Sequence, residues 1–448
     1  MEGNHASPID TCFIRTLRHL SAHIVIPLPQ HRGPVPPIRR PFDIVHIAQT
    51  QFPDDPRPRK EVLAATELGL RVAVIALQDG LDPRPVGHHG RAVVVRLPGE
   101  RRRGSLGKYV VEYTDFLVRA HALMRRDPRF SRARIVHVHT LPDFLVAAAR
   151  PARRNGARVV LDMHEIFPEF TRTKFPGALG RIGAPVARAV ERWSRRQADV
   201  ILTVNRSIER LLGARRSLPD ERLVVIHNLT DPADFGPPRL TDGVTTGPVR
   251  LAYHGTITRL YGLDLAVQAV AVARQLGSDV ELDIYGRGPM VPELEALIDR
   301  LALAGRVRLM GSVSHLVLRS RLPGYDAGLL PTRLDLMTQY SLSTKLLEYV
   351  HFGIPLIAAR IPAYLEYFPP EAAWYFEPND AEAAGRAIAA FASATPAERV
   401  ARARAAQDAT RDLSWEREAE TLKRIYEELL RKGRGGESQA LPTRRARN

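Results

Sequence analysis

A chain of 448 residues with 44% hydrophobic and 25% charged side chains is long enough for two domains with full cores and has the composition of a globular protein. Lysine and arginine outnumber aspartate and glutamate 65 to 49, a net charge of +16, which points to polyanionic partners, either nucleic acid or an anionic membrane surface. Cys12 is the single cysteine, so internal disulfides and thiolate metal sites are excluded and a reducing cytoplasm fits; no apolar run reaches the roughly 20 residues of a membrane span.

Residues 1–41 hold a short apolar patch at 24–28 followed by a Pro- and Arg-rich tract. The patch is too short for the core of a signal peptide, and the stretch reads as a disordered extension or an over-long start. From Phe42 short apolar runs alternate with amphipathic helices, the pattern of parallel α/β units. Strands are predicted over 43–48, 71–77, 92–97, 134–139, 158–162, 200–204 and 224–226, with helices between them, for example 59–68 and 109–124. Residues 231–247, rich in Pro, Gly, Asp and Thr, read as a linker. A second α/β half has strands over 250–253, 280–285, 307–310, 327–330 and 356–359. Two Rossmann-like halves make a cleft whose sites collect at the carboxyl ends of strands. The last helix, 415–431, gathers Trp415, Ala419, Leu422, Tyr426 and Leu429 on one face. From Gly433 the tail is Gly/Arg-rich and expected to be disordered.

The stretch SLSTKLLEYVHFGIPLIAA, 341–359, reads as a short helix stopped by Gly353 and followed by a buried strand. Ser341, Ser343 and Thr344 are hydroxyls where a helix begins, and the N–H groups there, with the positive end of the helix dipole, suit a phosphate. Lys345 lies in the first turn, and Glu348 follows on the same face. At 1.5 Å per residue, Glu348 is about 7 Å along the axis from Ser343, roughly the distance from a diphosphate to the ribose of its nucleoside. The alternative is a simple ion pair on a solvated helix face.

This stretch resembles the donor-binding helix of the family 4 glycosyltransferases of the two-domain GT-B fold, in the branch reading (P/S)-T-K-L-x-E-Y-x-x-x-G-x-P. The resemblance covers about 42–432. It implies two Rossmann-like domains facing across a cleft: 42–233 on the acceptor side, 248–412 for the nucleotide sugar, and a helix at 413–432 crossing back to the first domain. Glu348 falls on the second glutamate of that family's E-x7-E motif, while the first is replaced by Tyr340.

Asp162-Met163-His164-Glu165 follows a strand and precedes Pro168-Glu169. A zinc HExxH motif would need histidine where Pro168 stands, and proline breaks the helix that would align the ligands. The segment resembles the D-x-H-E-x-x-P-E of this glycosyltransferase branch, which implies that His164 faces the cleft near the transferred sugar; a histidine capping a buried loop is the other reading. His46, His137 and His139 lie at or near strand ends, with His137 and His139 on one face. They could bind a metal, but more often line a polar crevice, and the resemblance implies no protein-bound metal. The loop Asp54–Glu61 resembles the branch's D-P-R-x-x-R-E, so that Arg57 and Arg59 are candidates to meet an anionic acceptor or the donor phosphates, as against two solvated arginines.

In the second half, Gly255 and Gly262 match the spacing of the family's G-R-L-x-x-x-K-G, whose basic residues neutralise the diphosphate. Here those positions are Thr256 and Tyr261, leaving Lys345, with Arg259 or Arg333, to supply the charge. Gly286 and Gly288 resemble the G-x-G-P turn beside the nucleobase.

Between Arg91 and Arg134 twelve Lys/Arg stand against four Asp/Glu, and Arg188, Arg192, Arg195 and Arg196 share a broad face opposite Ile182, Val186 and Trp193. This suits contact with anionic lipid headgroups, against the alternative of a plain solvated surface. Nucleic acid is not expected, because no stacking aromatics are interleaved with the arginines. The expected function is therefore a glycosyltransferase, of hexosyltransferase type, moving a sugar from a nucleoside-diphosphate donor to a polysaccharide, glycolipid or lipid-linked acceptor, with retention implied by the resemblance. Catalysis is assigned to His164, Glu165 and Lys345, and donor binding to Gly255, Thr256, Arg259, Gly286, Gly288, Ser343, Thr344, Lys345 and Glu348. Arg57, Arg59 and His139 are assigned to the acceptor side. No bound cofactor is expected, and the location is cytoplasmic or peripheral at the inner membrane face. A partner protein that keeps the fold but has lost transfer is the alternative, favoured by Tyr340, Thr256 and Tyr261.

Overall fold

The computed structural model describes residues 40–78, 84–99, 106–175, 177–215, 222–231 and 235–432. The predicted extension, except its last two residues, and the tail from 433 lie outside these. The chain forms two compact units, one of Met1–Val204, Leu211–Ile226 and Ala419–Asn448, the other of Asn205–Arg210 and His227–Glu418. The stretch read as a linker belongs with the second unit because its backbone bonds there: Arg239 N donates to His351 O and Thr241 N to Gly353 O.

The first unit is built on β1 (Ile44–Gln51), β2 (Val72–Leu77), β3 (Val86–His89), β4 (Ala92–Leu97), β5 (Ile135–His139), β6 (Arg158–Met163), β7 (Val200–Thr203) and β8 (Leu223–Val225). Their order is β3-β4-β2-β1-β5-β6-β7-β8, parallel except for β3 against β4. A run such as VAVIAL in β2 is buried at every position, as a parallel strand covered on both faces requires. The edge strand β3, Val-Gly-His-His, has no apolar alternation and was not foreseen; it exists because β4 offers an edge to pair with.

The second unit carries β9 (Val249–His254), β10 (Val280–Tyr285), β11 (Val307–Gly311), β12 (Ala327–Leu330), β13 (Leu356–Ala359) and β14 (Trp374–Phe376), in the parallel order β11-β10-β9-β12-β13-β14. β14, only three residues, is too short for a periodic signal to reveal. In each sheet the chain runs outward from a central strand to one side and returns on the other. The carboxyl ends of β1 and β5, and of β9 and β12, are therefore switch points where loops diverge and ligands find room.

The terminal helix Trp415–Lys432 packs from Ala419 on the first unit. The Tyr426 hydroxyl lies 2.7 Å from His137 Nδ1, and Arg134 donates to Leu430 O at 3.0 Å. Among the described residues no helix is long and apolar enough to cross a membrane.

Candidate active site

In the second unit the Thr344–His351 helix begins over the carboxyl end of β9. Gly255, directly after β9, has φ +124°, and a Cβ there would lie 2.3 Å from Lys345 Cε. Glycine is what lets the lysine stem lie across the backbone. Gly286 and Gly288 serve the same close packing: added Cβ atoms would meet Gly255 O at 1.8 Å and Ile257 O at 2.0 Å. The two loops are laced by Gly255 N donating to Tyr285 O and Ile257 N to Arg287 O. We expect Gly255→Ala to fold with modest loss but to displace Lys345, and to weaken nucleotide binding at least tenfold by calorimetry, since one charge-assisted hydrogen bond is worth about 1.5–3 kcal/mol. Unchanged affinity would show that Lys345 does not meet the nucleotide.

Lys345 is half-buried, with Nζ 4.1 Å from the centre of the Tyr261 ring and 5.6 Å from that of Tyr253. Tyr261, read as a lost basic residue, is thus the face against which the remaining cation rests. Burial lowers the Lys345 ammonium to about 8, with Glu348 pulling the other way. Glu348 Oε2 stands 3.4 Å from His254 Nε2. His254 is held down at about 3 by burial and the Lys345 charge, so it is neutral. The helix is anchored by Tyr349, whose hydroxyl donates to Ala252 O at 3.0 Å and whose ring lies against Gly328.

Ser343 takes the N-cap position but makes no capping hydrogen bond; it bonds the Tyr364 hydroxyl instead. Ser341 donates to Met337 O. The serines expected as caps are thus turned elsewhere, and no side chain of the N-cap residue closes the first-turn N–H groups, which leaves them suited to an anion. Thr344 opens the helix, half-buried beside Lys345. Thr256 is exposed, and its carbonyl accepts from Tyr253. Arg259 is exposed, 3.9 Å from Glu293. Arg333 is bound to Asp264, which leaves Lys345 as the cation nearest the helix start.

In the first unit, residues on four elements converge at the β1–β5 switch point. His46 pairs in register with His137, and the rings of His46, His137 and His139 stack with centroids 4.5 to 5.4 Å apart. Burial lowers all three, holding them neutral. Asp162, on β6, receives Arg57 Nη2 and Nε at 2.6 and 2.9 Å. Its Oδ2 also lies 3.1 Å from His139 Nδ1 and 2.6 Å from His164 Nε2. Despite burial, Arg57 and the neighbouring histidines hold Asp162 well below the usual carboxylate range. Ionised, Asp162 requires protons on both of these ring nitrogens, and His139 Nε2 is then free to accept from His46 Nδ1, 3.1 Å away.

Arg57 and His139 were expected on the acceptor side. The structure corrects this: they are 3% and 2% exposed, and Arg57 is committed to Asp162, to Glu61 at 3.3 Å and to Ile226 O at 2.7 Å. Their charge and donors are spent inside the protein, on Asp162, which also receives His164. His164 is the most exposed member, at 20%, and its backbone N–H donates to Thr140 Oγ1. Beside it Glu165 is half-buried with Oε2 unpaired, and burial raises its carboxyl while His164 and Lys174 draw it back. Arg59 stays half-buried on the Pro56–Glu67 helix.

Donor atoms of Glu61, His137, His139 and Asp162 lie within 4.8 Å of one another, near enough for one metal ion. The Arg57 guanidinium already occupies both Asp162 oxygens, and a divalent cation would sit against that fixed charge. Glu61 was not singled out from sequence, although its i,i+4 spacing from Arg57 was a readable signal; the Tyr426 contact, 289 residues from His137, was not.

The family described as Glycosyltransferase Family 4 matches residues 62–234, and that described as Glycosyl transferases group 1 matches 248–393. Among curated relatives, the alpha-D-kanosaminyltransferase of Streptomyces kanamyceticus is 27% identical over 186 residues, 40% of this chain and 47% of the relative. The 2-deoxystreptamine glucosyltransferase of the same organism is 27% identical over 287 residues, 60% of this chain and 72% of the relative. The chain thus spans about half the length of the first relative. Sucrose-phosphate synthase from Thermosynechococcus elongatus shares the fold, with a TM-score of 0.70 at 18% identity over 88% of this chain and 100% of that one. Anabaena HepE, solved with UDP-glucose, shares it with a TM-score of 0.63 at 15% identity over 87% and 100%. With both halves matched in order, and each half built on a mostly parallel α/β sheet as in these GT-B structures, the chain belongs to the family 4, group 1 glycosyltransferases.

Proposed function

We propose that the protein transfers a sugar from a nucleoside-diphosphate donor to a glycan or lipid-linked acceptor, with retention at the anomeric carbon. The observation that carries the reading is Lys345, lodged over Gly255 and against Tyr261 at a helix N-terminus. A diphosphate placed there meets an ammonium and open backbone N–H groups, and Glu348 one turn on can accept from ribose hydroxyls. HepE, solved with UDP-glucose, is a fold neighbour for which such a donor is recorded. The lipid-linked acceptor and an anionic membrane surface are proposed partners on the strength of the basic first unit.

In a retaining transfer without a covalent nucleophile, the departing diphosphate oxygen takes the acceptor proton. The protein's task is then to stabilise charge on that group, which falls to Lys345 and the helix start. His164, whose Nε2–H is given to Asp162, presents Nδ1 to accept from a sugar hydroxyl, and Glu165 with its raised carboxyl orients the acceptor.

The product's anomeric configuration, read by NMR, tests the mechanism: an α-linked donor should give an α-linked product, and inversion would overturn it. His164→Ala should depress transfer by about 10²-fold while leaving donor affinity by calorimetry within a factor of about two. A non-catalytic nucleotide-binding partner is the second reading, favoured by Tyr340 in place of a carboxylate. Its signature is UDP binding without turnover across a panel of nucleotide sugars.

A further inference from the structure

The first unit carries a second cationic feature, away from the Asp162 network. The helices Phe167–Lys174 and Ala178–Gln197 pack together and leave a groove of about 450 Å³ lined by Arg172, Arg181, Arg188 and Arg192. Arg188 is 3.9 Å from Glu169, a carboxylate more closely held by Arg215 at 2.7 Å. Among the described residues, Arg172, Arg181 and Arg192 pair with no carboxylate. Unneutralised arginines lining one groove suit phosphate oxygens, which the planar guanidinium meets with two donors.

The apolar residues beside them decide between phosphate-bearing partners. Sequence periodicity set Ile182 and Val186 opposite the arginines, and the structure leaves them 72% and 62% exposed. On the helix, Ile182 follows Arg181 directly and Val186 is its i+4 neighbour, so an aliphatic stripe runs alongside the Arg181, Arg188 and Arg192 line. Two further aliphatic residues, Val110 and Val111, are each 53% exposed at the start of the Leu106–Arg126 helix. That helix start reaches the same region: Tyr109 meets Phe175 edge-on at 5.9 Å, and a Cβ on Gly180 would strike the Phe175 carbonyl.

We infer that this face is a docking site for an anionic membrane surface, with lipid phosphates in the arginine groove and Ile182 and Val186 at the acyl boundary. Cations flanked by exposed aliphatic residues match a headgroup layer over hydrocarbon. A nucleic-acid strand would call for exposed aromatic rings to stack its bases, and Tyr109 here is already engaged by Phe175 and Lys174.

The experiment is co-sedimentation of the full chain with vesicles of phosphatidylcholine alone, or with about 30% phosphatidylglycerol, at low and raised salt. Binding should require the anionic lipid and weaken as salt rises. Arg181→Ser/Arg188→Ser/Arg192→Ser should lower affinity by about 100-fold, each arginine contributing about fivefold. Ile182→Ser/Val186→Ser should remove the part that survives salt. Melting temperatures and UDP binding of both variants should match wild type, so a failure of the transferase reading leaves this test intact. Equal sedimentation with pure phosphatidylcholine, undiminished binding by the triple variant, or tighter binding to DNA than to vesicles at equal salt would each overturn the assignment.

Discussion

Asp162→Ala is expected to destabilise the first unit by about 3–5 kcal/mol, the cost of leaving a buried charge without its partner. Asp162 is fully buried and takes two hydrogen bonds from Arg57, whose remaining buried contacts to Glu61 and Ile226 O cannot neutralise it alone. The melting transition should fall by about 6–20 °C, at 2–4 °C per kcal/mol for a unit of this size. Because Asp162 is held well below its ordinary range, the stability it contributes is present above the unfolded carboxyl value, about 3.9, and is lost as pH falls through the lower folded value. The variant should lack that acid-side slope. Replacing the pair together, as Arg57→Met/Asp162→Leu, should cost less than either single change, because two apolar groups leave no buried charge. A thermal melt of Asp162→Ala that coincides with wild type would show that the network adds nothing to stability.

Lys345→Ala is expected to lower kcat by about 10²–10³, the range for removing one donor to a developing oxyanion. Donor affinity should fall less, because the open helix N–H groups remain. The pH profile supplies a second readout. With the ammonium at about 8 in the free enzyme, the cation is present below that pH, and kcat/KM for the donor should decline as pH rises through it. The alanine variant should show no such limb. Tyr261→Ala should move the limb and lower kcat/KM, while Tyr261→Phe keeps the ring face and should behave as wild type. Wild-type kcat in Lys345→Ala would remove the lysine from the mechanism.

Much of this could be read before any coordinates. Continuous apolar runs such as 72–77 and 356–359 announce strands buried on both faces, and Gly353, with φ +63°, ends the Thr344–His351 helix where the sequence placed its stop. Lys345 in the first turn and Glu348 on the same side follow from helical geometry alone. His137 and His139 share a face because a strand has period two. In each case the cause is local: backbone propensity and side-chain period act over a few residues and are written in adjacent positions.

What only the tertiary structure decided depends on groups far apart in the chain. Arg57 looked like a ligand-facing arginine, yet Asp162, 105 residues away, draws it into the interior, where a buried charge must find its counterion. Tyr261 looked like a missing lysine, but its ring meets Lys345 across the Gly255 loop. Ile182 and Val186 could be placed opposite the arginines from spacing, but only the structure shows them exposed, because periodicity gives a helix an apolar face without saying what will cover it. Spacing thus determined the elements and the residue types at their ends; which of those residues face solvent was decided by strand order, which brings β5 beside β1 and β12 beside β9.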